Sequence, residues 1–138
     1  MKGNEMRTRS VRLSPGMDLR VELERLTRDF EIEAGCIVTA VGSLSRANLR
    51  YGGRSEGVVT AGDLEIVSLV GTLSPDGAHL HLIVADADGR TVGGHMLSGC
   101  IVRTTAEIVI GDLAGTRFSR EMDPATGFRE LKIEVETE

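Results

Sequence analysis

The chain contains three histidines, His79, His81 and His95, and all of them fall within seventeen residues. His79 and His81 are two apart in an apolar run, so a strand there places both imidazoles on one face with Cα atoms ~7 Å apart. Residues 86–89, of sequence DADG, predict a hairpin turn, and His95 lies on the returning limb. Counting from the turn places His95 within about one residue of the position opposite His81. The glycines at 93–94 indicate a bulge, which would correct that difference, or a close backbone approach.

Three neutral imidazoles around an open position are typical of a catalytic zinc site, or of a site for another late divalent metal. A structural zinc site usually has cysteine ligands, but Cys36 and Cys100 stand singly in apolar runs far along the chain. An open or water-completed site is therefore favoured over a closed one. Glu65 or Glu107 could complete it, since each interrupts an apolar strand, although a solvent-facing or interface position is favoured for both. The histidines could also be exposed or hydrogen-bonded one by one.

Other motif-like strings predict little chemistry. Residues 53–57 match GxSxG, but a nucleophile elbow needs a buried strand before it and a helix after it, and neither is expected here. Arg46, Arg50 and Arg54 form a local basic segment. This segment could hold an anion or meet a carboxylate across a subunit interface, and a solvated loop is the default interpretation. The sequence points to one site and specifies no reaction.

A single helix is predicted, and it starts near Asp18. Leu19, Leu23, Leu26 and Phe30 recur at helical spacing with charged residues between them, which indicates an amphipathic helix of about four turns. Gly35 is expected to end it.

The remaining apolar runs are short and are broken by glycine, a pattern that favours strands. The expected strands cover residues 6–13, 36–44, 64–73, 79–85, 91–95, 101–110, 116–120 and 131–135. Because helices do not alternate with these strands, the pattern predicts an α+β fold with a largely antiparallel sheet of about seven or eight strands and one main helix. Residues 1–138 are expected to form a single domain.

Composition excludes several classes of protein. Aromatic residues make up 3% of the chain, which argues against stacking on single-stranded nucleic acid, and the net charge of -5 argues against binding duplex through phosphates. No apolar run approaches the roughly 18 residues of a membrane span. The first ten residues lack the apolar stretch of a secretory signal. Two lone cysteines without such a signal predict reduced thiols in the core of a cytoplasmic protein.

Seven short strings follow one another along the chain. They are LSPG at 13–16, GSL at 42–44, GTLS at 71–74, HLH at 79–81, AD at 85–86, GGH at 93–95 and TTAEIV at 104–109. Together these strings resemble the plants-and-prokaryotes-conserved (PPC) domain family over a core of about residues 11–135. The combined histidine, glycine and TxxE string is more specific than any of its parts.

The resemblance implies a compact α+β domain that assembles as a homotrimer. Some prokaryotic members resemble metal proteins that use the three motif histidines, which here are His79, His81 and His95, so a divalent metal, zinc first, is the expected cofactor. In plant members the domain follows AT-hooks, which carry Arg-Gly-Arg-Pro segments, and handles oligomerisation and partner binding. This chain has no such segment.

The sequence and the resemblance are compatible with three functions. The first is a trimeric metal-binding domain that takes a small molecule or carries an uncharacterised metal-dependent activity. The second is a DNA-binding regulatory protein, the label often given to stand-alone members; it is disfavoured by charge unless trimer symmetry clusters the basic segment with the basic strand at 6–13. The third is a purely structural oligomerisation module. In a trimer, Val67, Leu69, Ile101 and Val109 could supply the interface, and a neighbouring subunit could complete the histidine site.

Overall fold

The structure is a computed structural model that describes residues 5–137. Residues 1–4, which belong to the N-terminal segment without a secretory signal pattern, and residue 138, the last of the expected domain, lie outside the described residues. The elements in chain order are β1 (Met6–Leu13), α1 (Leu19–Asp29), β2 (Gly35–Arg50), β3 (Val58–Ser74), β4 (Gly77–Ala85), β5 (Thr91–Met96), β6 (Ile101–Leu113), β7 (Thr116–Asp123) and β8 (Phe128–Val135).

Six strands form one antiparallel sheet in the order β1-β6-β2-β3-β4-β5, and β7 and β8 form a separate hairpin. The end of β2 also pairs with β5, where Leu49 faces Met96 and Arg50 faces His95. Strands β2 to β5 therefore close on themselves, which covers part of the free edge of β5 and leaves β1 as an edge strand. The predicted α+β class with eight strands and one helix is confirmed.

Helix α1 begins as predicted and ends earlier than predicted. The Asp18 side chain caps its first turn by accepting a hydrogen bond from the Val21 amide at 3.2 Å. At the other end, Glu31 adopts a left-handed φ of 53° and the Ile32 amide donates to the Thr27 carbonyl oxygen. The expectation that Gly35 ends the helix is wrong, because this closure at Glu31 stops it first and Gly35 begins β2.

The β4–β5 hairpin runs in regular register, so the predicted bulge at the two glycines is wrong. His81 faces His95, Leu82 faces Gly94 and Ile83 faces Gly93 without a shift. The alternative interpretation, a close backbone approach, is confirmed at Gly94. A Cβ there would stand 2.8 Å from the Arg50 carbonyl oxygen, so only glycine lets β5 meet the end of β2.

The core is aliphatic and lies between α1 and the inner face of the sheet. Its largest fully buried side chains include Leu19, Leu23, Leu80 and Leu82. Leu69 is also buried within the chain, so its expected role at a subunit interface is wrong.

Both cysteines are free. Cys100 is buried as expected, whereas Cys36 is only partly buried, so its predicted place in the core is wrong. Burial raises the pKa of the Cys100 thiol. Among residues 5–137, no helix combines the length and the apolar character that a membrane span requires.

Candidate metal centre

Strand β4 divides its side chains between the core and the outer face. Ala78, Leu80 and Leu82 are buried, while His79 and His81 between them are exposed. This alternation follows directly from the period of two in a strand, and the apolar residues fix which face turns inward. Both histidines therefore stand side by side on the outer face.

His95 joins them from β5, because it pairs directly with His81. The ring centroids of His79 and His81 are 5.1 Å apart, those of His79 and His95 5.2 Å, and those of His81 and His95 6.0 Å. One nitrogen from each ring lies within 4.8 Å of the other two. The predicted convergence of the three imidazoles is confirmed, and metal binding by them stays a prediction.

Partial burial and positive neighbours favour the neutral form of His79 and His95. Desolvation, followed by the charge of Arg50, lowers the pKa of His95 to about 4. Desolvation and the charge of Arg120 also lower the pKa of His79, against an opposing effect of Glu130. Neutral imidazole is the form that binds a metal, so near neutral pH no proton needs to leave His79 or His95.

Arg20 of helix α1 connects the two strands that carry the histidines. Its guanidinium donates to the carbonyl oxygens of Met96 at 2.6 Å and Ala78 at 2.9 Å. These carbonyls belong to the residues next to His95 and His79. Glu24 holds the same guanidinium through an ion pair at 2.9 Å. Sequence reasoning missed Arg20, since its position is that of an ordinary charged residue on an amphipathic helix.

Glu65 and Glu107 do not join the histidines. Glu65 faces Ser43 and Ala85 in the sheet, Glu107 faces Val41 and Arg12, and both glutamates are exposed. Their solvent-facing or interface interpretation agrees with these positions. The described cluster therefore has three nitrogen donors from the chain and no carboxylate.

A cleft of about 1090 Å³ opens beside the histidines. Arg50 and Arg54 line it, whereas Arg46 is exposed elsewhere on β2, so the predicted basic segment is divided. Phe128, at the start of β8, contributes to the same cleft from far along the chain. Nothing in the sequence around Phe128 indicates this role, because only the placement of the β7–β8 hairpin brings it there.

The donor set fits a divalent metal. Three neutral imidazoles suit zinc and its late transition-metal neighbours, and a set of three leaves coordination positions for a ligand from outside the chain. Because the histidines line the cleft, a metal held by them would face a volume large enough for a small molecule.

Comparison with known proteins identifies the family. The family description "Plants and Prokaryotes Conserved (PCC) domain" matches residues 1–114. A bifunctional protein GlmU from Synechococcus sp. (strain JA-3-3Ab) is 54% identical over 129 residues, which are 94% of this chain and 21% of that protein. The chain thus spans about a fifth of the GlmU relatives. AT-hook motif nuclear-localized protein 2 of Arabidopsis thaliana is 33% identical over 98 residues, 64% of this chain and 29% of that protein.

Solved structures share the fold. A hypothetical protein from Salmonella enterica has 38% identity and a TM-score of 0.95, and 99% of each chain is covered. A metal-containing protein from Archaeoglobus fulgidus has 28% identity and a TM-score of 0.76 over 94% of this chain and 98% of that one. A Ralstonia eutropha protein proposed to bind DNA has 25% identity and a TM-score of 0.75, with 89% of each chain covered.

Proposed function

This chain belongs to the Plants and Prokaryotes Conserved domain family, and from that premise we propose that it is a homotrimeric metal-binding domain. His79, His81 and His95 hold a divalent ion, zinc first, at the side of a cleft that takes a small molecule. The observation that carries the proposal is the approach of three imidazole nitrogens to within 4.8 Å of one another on one hairpin. The resemblance to a metal-containing protein from Archaeoglobus fulgidus supports it.

The chain's own residues prepare the site. When bound, the metal supplies a Lewis acid that polarises a ligand oxygen or lowers the pKa of a water molecule. The hairpin register holds the three rings together, and Arg20 fixes the two strands through the carbonyls beside His79 and His95. Partial burial and nearby arginines keep His79 and His95 deprotonated and ready to coordinate.

Metal analysis of untagged protein tests this proposal. After dialysis against zinc and removal of the excess, we expect about one zinc per chain, measured by inductively coupled plasma mass spectrometry. His79→Ala and His95→Ala should lose most of it, because two imidazoles bind zinc far more weakly than three. Ser68→Ala, which alters the cleft and removes no ligand, is the matched control and should keep the metal.

Loss of zinc from a histidine variant counts as loss of a ligand only if that variant is folded. Circular dichroism and urea unfolding of each histidine variant show whether the fold persists. Zinc content below a tenth of an equivalent in the folded wild-type protein would refute the metal centre. Equal zinc content in wild type and in both histidine variants would refute the assignment of these residues.

The homotrimer is supported by an apolar outer face. Three valines on β2 and β3 are about half exposed: Val38 at 46%, Val41 at 57% and Val67 at 57%. An apolar group of this kind on one sheet face is typical of a subunit interface. Sedimentation equilibrium of residues 1–138, taken as one domain, should give three chain masses, and Val67→Glu should reduce it to one. A monomeric wild-type chain at micromolar concentration would contradict the assembly.

DNA binding is a second candidate, favoured by one observation. Edge strand β1 presents Arg7, Arg9 and Arg12 as exposed side chains, and a trimer would repeat this row. The AT-hook proteins and the Ralstonia protein are relatives with that association. The net charge of -5 opposes it. Fluorescence anisotropy with labelled duplex DNA tests this candidate. Binding through phosphates should weaken steeply as the salt concentration rises, and no binding at low salt would exclude it.

A third candidate, a purely structural oligomerisation module, predicts trimers that take up no metal.

The proposed location is the cytoplasm, since two free cysteines suit a reducing compartment.

A further inference from the structure

The cleft beside the histidines differs in charge from the rest of the chain. The sequence has 21 aspartates and glutamates against 16 lysines and arginines. Of the described residues that line the cleft, none is acidic, and two are the arginines Arg50 and Arg54. On this side of the histidines the cleft carries positive charge without a carboxylate, which favours a negatively charged occupant. The adjoining cleft, which shares Arg50, His79 and His95, is mixed in charge, with three acidic residues and three further arginines: Glu24, Asp76, Glu130, Arg20, Arg120 and Arg129.

Arg50 is placed to bind such an occupant next to the histidines. It pairs with His95 across β2 and β5, so both side chains emerge at neighbouring positions on the same face. Arg50 as a residue is half-buried and lines the cleft. Among residues 5–137, the arginines in ion pairs are Arg20, Arg25, Arg103 and Arg117.

Arg50 therefore has no carboxylate partner in the described part of the chain, and no hydrogen bond to its guanidinium is formed there. Its guanidinium keeps five donors that a ligand can satisfy, and its planar geometry matches a carboxylate.

The opposite side of the cleft is apolar. Val70 and Ile83 flank His81 on β3 and β4, and they remain 54% and 40% exposed. Phe128, 68% exposed, adds an aromatic ring from the β8 end of the cleft. These side chains offer contact to hydrocarbon and nothing to a fully hydrated anion, which favours an organic anion over inorganic phosphate.

We infer that the cleft is a binding site for small organic carboxylates, in which Arg50 binds the carboxylate beside the open side of the histidine centre and Val70, Ile83 and Phe128 contact the hydrocarbon part. This inference rests on the proposed function for its metal component. The role of Arg50 does not require the metal. In the metal-free protein we expect weaker binding of the carboxylate, and this binding should still depend on Arg50.

Isothermal titration calorimetry with butyrate tests the inference on the full chain, both zinc-loaded and metal-free. Arg50→Gln should weaken butyrate binding by at least about tenfold, since charge-assisted hydrogen bonds to a carboxylate are lost. Arg103→Gln changes the net charge equally at a distant ion pair with Asp63, and it should leave binding within about twofold. Zinc content of both variants should equal that of the wild type.

The two proposals fail in different ways. Absence of zinc in the wild type refutes the metal centre. The carboxylate site is then tested by comparing butyrate binding to the metal-free wild type and to metal-free Arg50→Gln. Butyrate affinity that is unchanged by Arg50→Gln in either form refutes the carboxylate site. Inorganic phosphate that binds as tightly as butyrate, or n-butanol that binds as tightly, also overturns the assignment, because the first needs no apolar wall and the second needs no guanidinium.

Discussion

Acidification of the metal-free protein should destabilise it through His95. Its pKa is about 4 in the folded chain, against the ordinary 6.5. Between these values the unfolded chain binds a proton that the folded chain does not. Stability therefore decreases as the pH falls from about 6.5 to about 4, and it changes little through this group above or below that window. His79, whose pKa is also lowered, acts in the same direction.

The size of the effect follows from the pKa difference. At about 1.36 kcal/mol per pH unit, the gap between about 4 and 6.5 sets an upper value of about 3.4 kcal/mol. Because His95 is partly exposed and water screens its neighbours, we expect roughly 1 to 2 kcal/mol from this residue. The physical source is desolvation first and the charge of Arg50 second.

Urea unfolding of wild type and His95→Asn at several pH values between 7.5 and 4 measures this contribution, as the difference between the two pH profiles. The chain has only three histidines, so NMR of the ring resonances can follow each one separately. Arg50→Gln should raise the pKa of His95 and flatten the wild-type profile. Parallel profiles for wild type and His95→Asn, together with a His95 pKa near 6.5, would refute the reasoning.

Three further outcomes are expected. Gly71→Ala should cost about 1 to 3 kcal/mol in urea unfolding and weaken zinc binding, because a Cβ at that position overlaps the His79 carbonyl oxygen; unchanged stability would contradict this. Arg20→Gln should cost about 2 to 3 kcal/mol and weaken zinc binding, whereas the exposed Arg28→Gln on the same helix should change neither. Zinc at a free concentration of 100 times its dissociation constant should stabilise the wild type by about 2.7 kcal/mol in urea unfolding, and the histidine variants should show no such gain.

Much of the fold could be predicted because its signals are local. Strand β1 was predicted with its observed ends, and the turn before β5 was predicted from residues 86–89. The ends of the longer strands were not. Strand β2 continues to Arg50, beyond the apolar run, because tertiary pairing with β5 and β3 supplies the hydrogen bonds that its polar end needs.

The histidine cluster lay within reach of sequence reasoning for the same reason. Two histidines on one strand and a third on the returning strand are placed by the period of two and by the length of one turn. The predicted bulge at the two glycines is wrong, because counting residues from the turn sets the register of His95 only to within one residue. In the structure the regular register already places His95 opposite His81.

By itself, then, the sequence determined the class of fold, the single helix and the meeting of three imidazoles on one hairpin, because those follow from side-chain alternation and turn chemistry over a few residues. The tertiary structure alone decided that Arg50 stands beside His95, that Arg20 ties the two strands and that Phe128 borders the cleft. Each of these contacts joins residues far apart in the chain. Their geometry depends on how the whole sheet closes, which no local pattern of residues encodes.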